Sequence, residues 1–180
     1  LDYIKDIIKP GITTESIDEV CKKIILENGA KAAPYMYKGH NNIPFPKSVC
    51  TSVNHVVCHG IPSKNKILQE GDIINVDVTV ILDSWYGDSS RMYAVGKINK
   101  KSQLLLKTTY ESLIKGIEAA KPGNYFGDIG FNIQEFAESK NYSVVRDFCG
   151  HGIGKKFHTP PSVLHYGKKG GGEVIKPGMI

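Results

Sequence analysis

Hydrophobic and polar positions recur along the chain with two different periods, which predict both helices and strands. From Thr13 onwards, apolar side chains fall at helical spacing, and Asn28-Gly29 ends this first helix. A long helix is predicted over residues 102–120, where Lys121-Pro122-Gly123 stops it, and another over residues 128–140. The chain therefore carries three predicted helices with turn residues at their ends.

Residues rich in β-branched side chains indicate strands between these helices. Residues 72–82 predict a buried strand, and residues 85–95 predict a second strand after a turn. Weaker patterns predict two short strands within residues 48–57 and one at residues 142–146. We predict loops for the remaining proline-rich or glycine-rich segments, residues 33–46 and 149–161, and a flexible turn at residues 170–172.

The order of these elements repeats. The first series begins with Lys9-Pro10-Gly11 and continues with a helix, a strand region, a His-Gly-Ile tripeptide and Glu70-Gly71. The second series begins with Lys121-Pro122-Gly123, has the same order and ends at Pro177-Gly178. We therefore expect two similar α+β halves that pack about a pseudo-two-fold axis, with a site between them. Asp77 lies six residues after Gly71, so a matching carboxylate is expected beyond Ile180.

Composition narrows the class of protein. The 180 residues are 41% hydrophobic and 23% charged, which is typical of one ordinary globular domain. No apolar run approaches the roughly 20 residues of a membrane span, and no signal peptide is visible. The net charge is +5, but the lysines are scattered, which argues against a nucleic-acid module. Both ends, Leu1 and Ile180, have the pattern of cuts rather than natural termini.

Four cysteines are present without a Cys-x-x-Cys pair, so neither a zinc ribbon nor a thioredoxin motif is predicted. We interpret them as free thiols in a reducing cytoplasm.

Asp77 and Asp88 are the first candidates for chemistry. Asp77 interrupts an apolar strand, where a carboxylate must be paired, protonated or bound to a metal. Asp88 begins the adjoining strand, and we expect a tight turn to place it opposite Asp77, where a divalent cation would relieve the repulsion. The alternatives are a structural Asp77 and an Asp88 that pairs locally with Ser90 or Arg91.

Histidines add nitrogen donors. His151 lies in a glycine-rich stretch that leaves room for a metal or substrate, while His59 and His158 are candidates for proton transfer. A structural or surface role is the alternative for His151. We interpret His40, His55 and His165 as loop, strand or packing residues.

Six stretches of this sequence, taken together, resemble the type I methionine aminopeptidases: residues 46–50, 54–62, 71–80, 87–92, 149–154 and 157–158. The resemblance covers essentially the whole chain in order. It implies the α+β pita-bread fold, with duplicated α/β halves around a curved antiparallel sheet that is incomplete at the C-terminus. Residues 1–180 would form a single metallopeptidase catalytic domain, truncated at both ends.

The resemblance also implies a metal centre with two divalent ions bound by two Asp, one His and two Glu. Asp77, Asp88 and His151 match the first three ligands, while both Glu positions fall beyond Ile180. The ions would be Co, Mn, Fe, Zn or Ni. Because the two Glu are missing, we expect residues 1–180 alone to be inactive.

The remaining site residues implied by the resemblance contact the peptide. His59 and His158 match the catalytic histidines that touch substrate. The methionine pocket is matched by apolar or soft side chains, Tyr37, Phe45, Cys50 and Phe157.

The implied activity is removal of the initiator methionine from nascent proteins by two-metal-assisted hydrolysis, with a small second residue preferred. Its expected partners are nascent polypeptide N-termini and, as a further candidate, the ribosome. We expect a cytoplasmic monomer that binds neither membranes nor specific nucleic acids.

Three other interpretations remain open. The first is a prolidase, aminopeptidase P or creatinase of the same fold, although the sequence around His59 and His151 fits the methionine enzymes better. The second is a pita-bread protein that binds peptides, histones or RNA after losing its metal ligands, which the presence of Asp77, Asp88 and His151 argues against. The third is a basic nucleic-acid module.

Overall fold

The structure is a computed structural model that describes residues 1–39 and 42–180. It divides into two compact units, Leu1–Ser102 and Gln103–Ile180, each of which has its own helices and strands. The prediction of one catalytic domain over residues 1–180, and that of a pseudo-two-fold axis, stay predictions.

The first unit contains helix α1, Thr14–Glu27, which begins and ends close to the predicted positions. Thr13 caps its N-terminus, since the Thr13 side-chain oxygen accepts the N–H of Ser16 at 3.1 Å. Its apolar face is buried through Ile17, Cys21 and Ile25. A 3-10 helix, Asp2–Ile7, precedes α1 and inserts Ile4 into the same core.

The sheet of this unit is built around β3, Ile73–Leu82. Strand β4, Trp85–Ala94, pairs with one edge of β3, while β1, Lys31–Ala32, and β2, Cys50–Val53, share the other; all pairs are antiparallel. A two-residue turn joins β3 to β4, with both Asp83 and Ser84 at positive φ, as tight hairpins require. The predicted strands at residues 72–82 and 85–95 are confirmed. Residues 48–57 contain one strand, β2, instead of two.

The two faces of β3 differ in chemistry because successive side chains point to opposite sides. Ile74 and Val76 are fully buried in the hydrophobic core, which also takes in the apolar face of α1. Burying each such side chain stabilises the fold by roughly 1.5–3 kcal/mol. Asn75, Asp77 and Thr79 point to the other side, which we call the polar face of the sheet.

The second unit is organised by two helices, α2, Lys100–Ala119, which starts at the end of the first unit, and α3, Phe126–Ser139. They pack closely at Gly116, where an added Cβ would lie only 2.7 Å from the Ile133 side chain. The absence of a side chain at Gly116 thus permits this close approach. The predicted helices at residues 102–120 and 128–140 are confirmed.

A two-stranded antiparallel sheet follows, made of β5, Gly150–Gly152, and β6, Thr159–Val163. The prediction that residues 149–161 form only a loop is therefore wrong. The predicted strand at residues 142–146 is also wrong. The N–H of Tyr142 instead bonds the Ala137 carbonyl at 3.0 Å and closes the end of α3, and the segment that follows is irregular.

The predicted repeat is visible in the backbone of each unit. Two hydrogen bonds join Gly11-Ile12 to Leu68, both at 2.8 Å, and the same two bonds join Gly123-Asn124 to Ile175, at 2.9 and 2.7 Å. Both glycines have positive φ, and α1 and α3 are each 14 residues long. The duplication therefore extends from the Lys-Pro-Gly signals through the helices to the segments that close against them.

The hydrogen bonds also correct the alignment of the two halves. The N–H of Asn54 bonds the carbonyl of Ile73 at 2.9 Å, and the N–H of Ile153 bonds the carbonyl of Ile180 at 3.2 Å. Ile73 and Ile180 each lie two residues after their repeat glycine. Asn54 is therefore the counterpart of Ile153.

This alignment pairs Ser52 with His151, whereas the sequence repeat had paired His59 with His151. His151 lies within β5, while His59 follows β2 by several residues. The shared His-Gly-Ile tripeptides thus occupy different places in the two halves.

Candidate active site

Asp77 and Asp88 lie on the polar face of the sheet, on neighbouring strands. The prediction that they lie directly opposite each other is wrong, since Asp77 pairs with Ser90 and Asp88 pairs with Thr79. The two carboxylates are diagonal neighbours on one face, a relation that typically separates Cα atoms by about 7–8 Å.

Asp88 is held by a side chain that the sequence interpretation did not consider. The Thr79 hydroxyl donates a hydrogen bond to Asp88 Oδ1 at 2.8 Å, and Thr79 is only 3% exposed. Arg91, one of the local partners considered for Asp88, forms an ion pair with Asp2.

Cys50 lies directly opposite Asp77 on β2 and is 7% exposed. Burial, and secondarily the charge of Asp77 and the Cys58 thiol, raises the pKa of Cys50 to about 12. Burial and the Asp77 charge also raise the pKa of Cys58. Both thiols are therefore neutral near pH 7 and form a soft, weakly polar wall beside Asp77.

A buried carboxylate fixes the entry to β2. Asp18 Oδ1, on α1, accepts the N–H of Ser48 at 2.7 Å and that of Val49 at 3.0 Å. Lys47 adds an ion pair to Glu15 on the same helix. Asp18 was not among the predicted site residues, although a charged residue among the buried positions of an amphipathic helix is a signal of such a bond.

The second unit brings three predicted site residues together. The rings of His151 and His158 are 4.3 Å apart between centroids, and Phe157 stacks on His158 at 4.2 Å. His151 also meets Phe157 edge to face at 6.3 Å. A metal-ligand candidate, a proton-transfer candidate and a pocket candidate thus share one cluster around β5 and β6.

The hydrogen bonding of His151 suits a metal ligand. Nδ1 lies 3.0 Å from the Gly152 carbonyl, which can only accept a hydrogen bond, so Nδ1 carries the proton. In the neutral ring, Nε2 then keeps its lone pair, and a metal can bind to this nitrogen.

Gly152 makes this arrangement possible, because a Cβ there would lie 2.5 Å from the Pro160 carbonyl oxygen. The strand pairing is irregular between His151 and Gly152, and such bulges re-aim side chains near active sites.

His59 is exposed and has a φ of 57°, an uncommon conformation for a residue with a side chain. The neighbouring Gly60 holds it in place, since its N–H bonds the Ser52 hydroxyl at 3.1 Å and its carbonyl accepts the N–H of Thr51 at 2.8 Å. Strained backbone of this kind is frequent at functional sites.

Tyr37 and Phe45, the other two pocket candidates, are joined through their backbones. The N–H of Phe45 bonds the Tyr37 carbonyl, and the N–H of Met36 bonds the Phe45 carbonyl, both at 2.8 Å. The Tyr37 residue is 41% exposed, whereas Phe45 is half-buried. His40, in the segment between them, lies outside the described residues.

The candidate ligands are of the chemical types that divalent metals bind. Asp77 and Asp88 are hard oxygen donors and His151 is an imidazole donor, a mixture that suits several transition metals. Among residues 1–39 and 42–180, no three His, Cys, Asp or Glu side chains are grouped as a metal site. In the same residues, no helix has the length and apolar character to cross a membrane.

Comparison with known proteins shows extensive similarity. The profile of metallopeptidase family M24 matches residues 1–180. A methionine aminopeptidase of Rickettsia prowazekii is 55% identical over 180 residues, which are 100% of this chain and 67% of the relative. The crystal structure of methionine aminopeptidase from Rickettsia prowazekii superposes with a TM-score of 0.94 at 54% identity, covering 99% of this chain and 69% of that one.

A prolidase from Pyrococcus furiosus has a TM-score of 0.77 at 22% identity, covering 96% of this chain and 47% of that chain. At that identity the likeness concerns the fold alone.

Proposed function

Because the chain belongs to metallopeptidase family M24 and, within it, to the methionine aminopeptidases, we propose that it removes N-terminal methionine through the residues described above. The predicted family, the α+β pita-bread fold and the metallo-exopeptidase class are confirmed. The chain spans about two thirds of the length of these relatives. The diagonal placement of Asp77 and Asp88 on one polar face carries the assignment of the site.

We propose that Asp77, Asp88 and His151 hold divalent metal, with two ions as in the implied ligand set. The family implies divalent ions, and their number and identity, Co, Mn, Fe, Zn or Ni, belong to this proposal. When bound, such ions polarise a peptide carbonyl and lower the pKa of water. The diagonal placement of the two carboxylates supports a shared cation, because two like charges so close repel otherwise.

The two catalytic histidines would handle the peptide and its protons. His158 is held between His151 and the Phe157 ring, so its imidazole has a defined position from which to donate a hydrogen bond to the reacting carbonyl group. His59 lies on exposed, strained backbone and would hold the peptide beyond the scissile bond.

The side chain of the leaving methionine would contact Cys50, Phe157, Tyr37 and Phe45. Neutral thiols and aromatic rings suit a thioether, because both are polarisable and weakly polar. The raised pKa of Cys50 supports this role, since a neutral thiol can be covered by an apolar side chain without the desolvation cost that a thiolate would carry. The preferred substrates are peptides with a small residue in the second position.

The proposal extends to the partners and the compartment of the protein. The homologous enzymes act on nascent polypeptide N-termini, and we propose that this protein does so as a cytoplasmic monomer, with the ribosome as a candidate partner and no specific nucleic acid. The four free cysteines support a reducing compartment.

The test is release of methionine from the peptide Met-Gly-Met. It would be measured with a polypeptide extended to the length of the relatives and with residues 1–180 alone. We expect turnover by the extended protein and none by residues 1–180, with loss of turnover after chelation. His158→Ala and His59→Ala should each lower kcat/KM by about 10²–10⁴-fold.

His55→Ala is the matched control, because His55 is exposed and has no assigned role. It should stay within about twofold of the parent. Robust turnover by residues 1–180 would overturn the ligand set, and equal activity of all three histidine variants would overturn the catalytic assignments.

A further inference from the structure

Thr79 occupies an unusual place on the polar face of the sheet. It lies two residues after Asp77 on β3 and directly opposite Asp88 on β4. Although it is on the polar face, it is 3% exposed, so its hydroxyl is shielded from solvent. The hydroxyl donates its proton to Asp88 Oδ1, at 2.8 Å.

The backbone fixes Thr79 from both edges of β3. On one side it is paired in the long β3–β4 ladder, and on the other its carbonyl accepts the N–H of Ala33 at 3.0 Å. Threonine is also β-branched, which restricts rotation about χ1. The hydroxyl therefore has a defined position and direction before any ligand arrives.

Asp88 differs from Thr79 in its exposure, because it lies on an exposed stretch of β4. An exposed carboxylate samples several rotamers, and ordering it on a metal costs conformational entropy. A hydrogen bond from a fixed hydroxyl selects one rotamer in advance. Since an ionised carboxylate has about four acceptor positions, one bond to Thr79 leaves capacity for a cation.

We propose that Thr79 is a positioning residue for the metal centre, which holds the Asp88 carboxylate in the orientation that it needs to share a cation with Asp77. The inference rests on the proposed function, in which both carboxylates are ligands. It assigns to Thr79 the role that outer hydrogen-bond partners have in metal sites, where their loss typically weakens binding by 10–100-fold.

The experiment compares Thr79→Val, which keeps the shape of the side chain and removes the hydroxyl, with Thr79→Ser, which keeps the hydroxyl. Isothermal titration with Mn²⁺ or Co²⁺ measures the affinity of each variant, made in the polypeptide extended to the length of the relatives. We expect Thr79→Val to weaken binding about 10–100-fold and Thr79→Ser to stay within about threefold of the parent. Thermal melting of the metal-free variants reports on folding separately.

Two controls separate this inference from the proposed function. Asp88→Asn should abolish tight binding; if it binds as the parent does, or if the parent binds neither ion, the ligand assignment fails. If Asp88→Asn loses the metal but Thr79→Val binds within threefold of the parent, only the positioning role fails.

Thr79→Ala serves where Thr79→Val does not fold. Equal affinities of Thr79→Ala and Thr79→Ser would then overturn the positioning role, whereas weaker binding by Thr79→Ala alone supports it.

Discussion

Helices α1 and α3 start from the same Lys-Pro-Gly signal and have the same length, yet they are buried differently. Ile17 on α1 is 0% exposed, while its counterpart on α3, Ile129, is only half-buried. The first unit covers its helix with the apolar face of a four-stranded sheet. In the second unit, the described strands are β5 and β6, whose residues are largely Gly, Pro, Ser and Thr.

The difference separates two determinants of a helix. Turn residues and spacing decide where the helix begins and ends, and these are shared by the two halves. Stability depends on the surface that packs against the apolar face, which is particular to each half. Equivalent residues are therefore predicted to respond unequally to the same change.

The largest contrast is expected at two equivalent cysteines. Cys50 at the start of β2 is buried with a pKa of about 12, while Cys149, just before β5, is exposed. At pH 8 only about 10⁻⁴ of Cys50 would be thiolate, which is the reactive form. Alkylation by iodoacetamide should therefore be at least about 100-fold slower at Cys50, as measured by peptide mass spectrometry.

The pH dependence gives this prediction its sign. At pH values below the pKa, the fraction of Cys50 that is thiolate increases about tenfold with each unit rise in pH. Labelling of Cys50 should therefore rise steadily from pH 8 to pH 10. Similar labelling rates for Cys50 and Cys149 at pH 8 would mean that the two halves do not differ in burial here.

A second contrast is expected in stability. Ile17→Ala removes a fully buried side chain and should lower the free energy of unfolding by about 3–4 kcal/mol, whereas Ile129→Ala should lower it by about 1 kcal/mol. Urea denaturation gives both values, and hydrogen exchange shows which helix opens. Equal losses from the two variants would remove the distinction between the covered and the partly covered helix.

The sequence predicts the helices and the long hairpin well because their signals are local. The β-branched residues of β3 and the turn at Asp83-Ser84 specify a strand pair without reference to the rest of the chain. Strand β6 escaped prediction because two prolines lie in Thr159–Val163, and proline removes a ladder donor. Residues 142–146 were misassigned because β propensity does not supply a pairing partner.

The candidate site shows the same limit. Asp77, Asp88, His151 and His158 can be named from residue type and the family resemblance. Which residue faces Asp88 depends on the register of the hairpin, and that register, not the sequence, selected Thr79 as its partner. The roles of all these residues stay predictions until they are tested.

The smallest contrast concerns the helix ends. Gly29 follows α1 with φ of 71°, and its counterpart Asn141 follows α3 with φ of 62°. Glycine adopts this left-handed conformation more easily than asparagine does. Asn141→Gly should therefore raise the free energy of unfolding, and Gly29→Asn should lower it, each by about 0.5 kcal/mol, with a small shift of the melting temperature in the same direction.

Calorimetry of the two single variants measures both shifts. The same sign for both would show that the two helix ends are not equivalent in energy, despite their matching backbone.

The carboxylate of Asp18 has a consequence for β2 as a whole. Because one oxygen accepts two successive N–H groups, at Ser48 and Val49, it admits a single alignment of the strand. A slip by one position would turn every side chain of β2 to the opposite face and set Val49 or Thr51 against Asp77 where Cys50 now stands. A residue buried in a helix thus decides whether the neighbour of a candidate metal ligand is a thiol, a hydroxyl or a hydrocarbon.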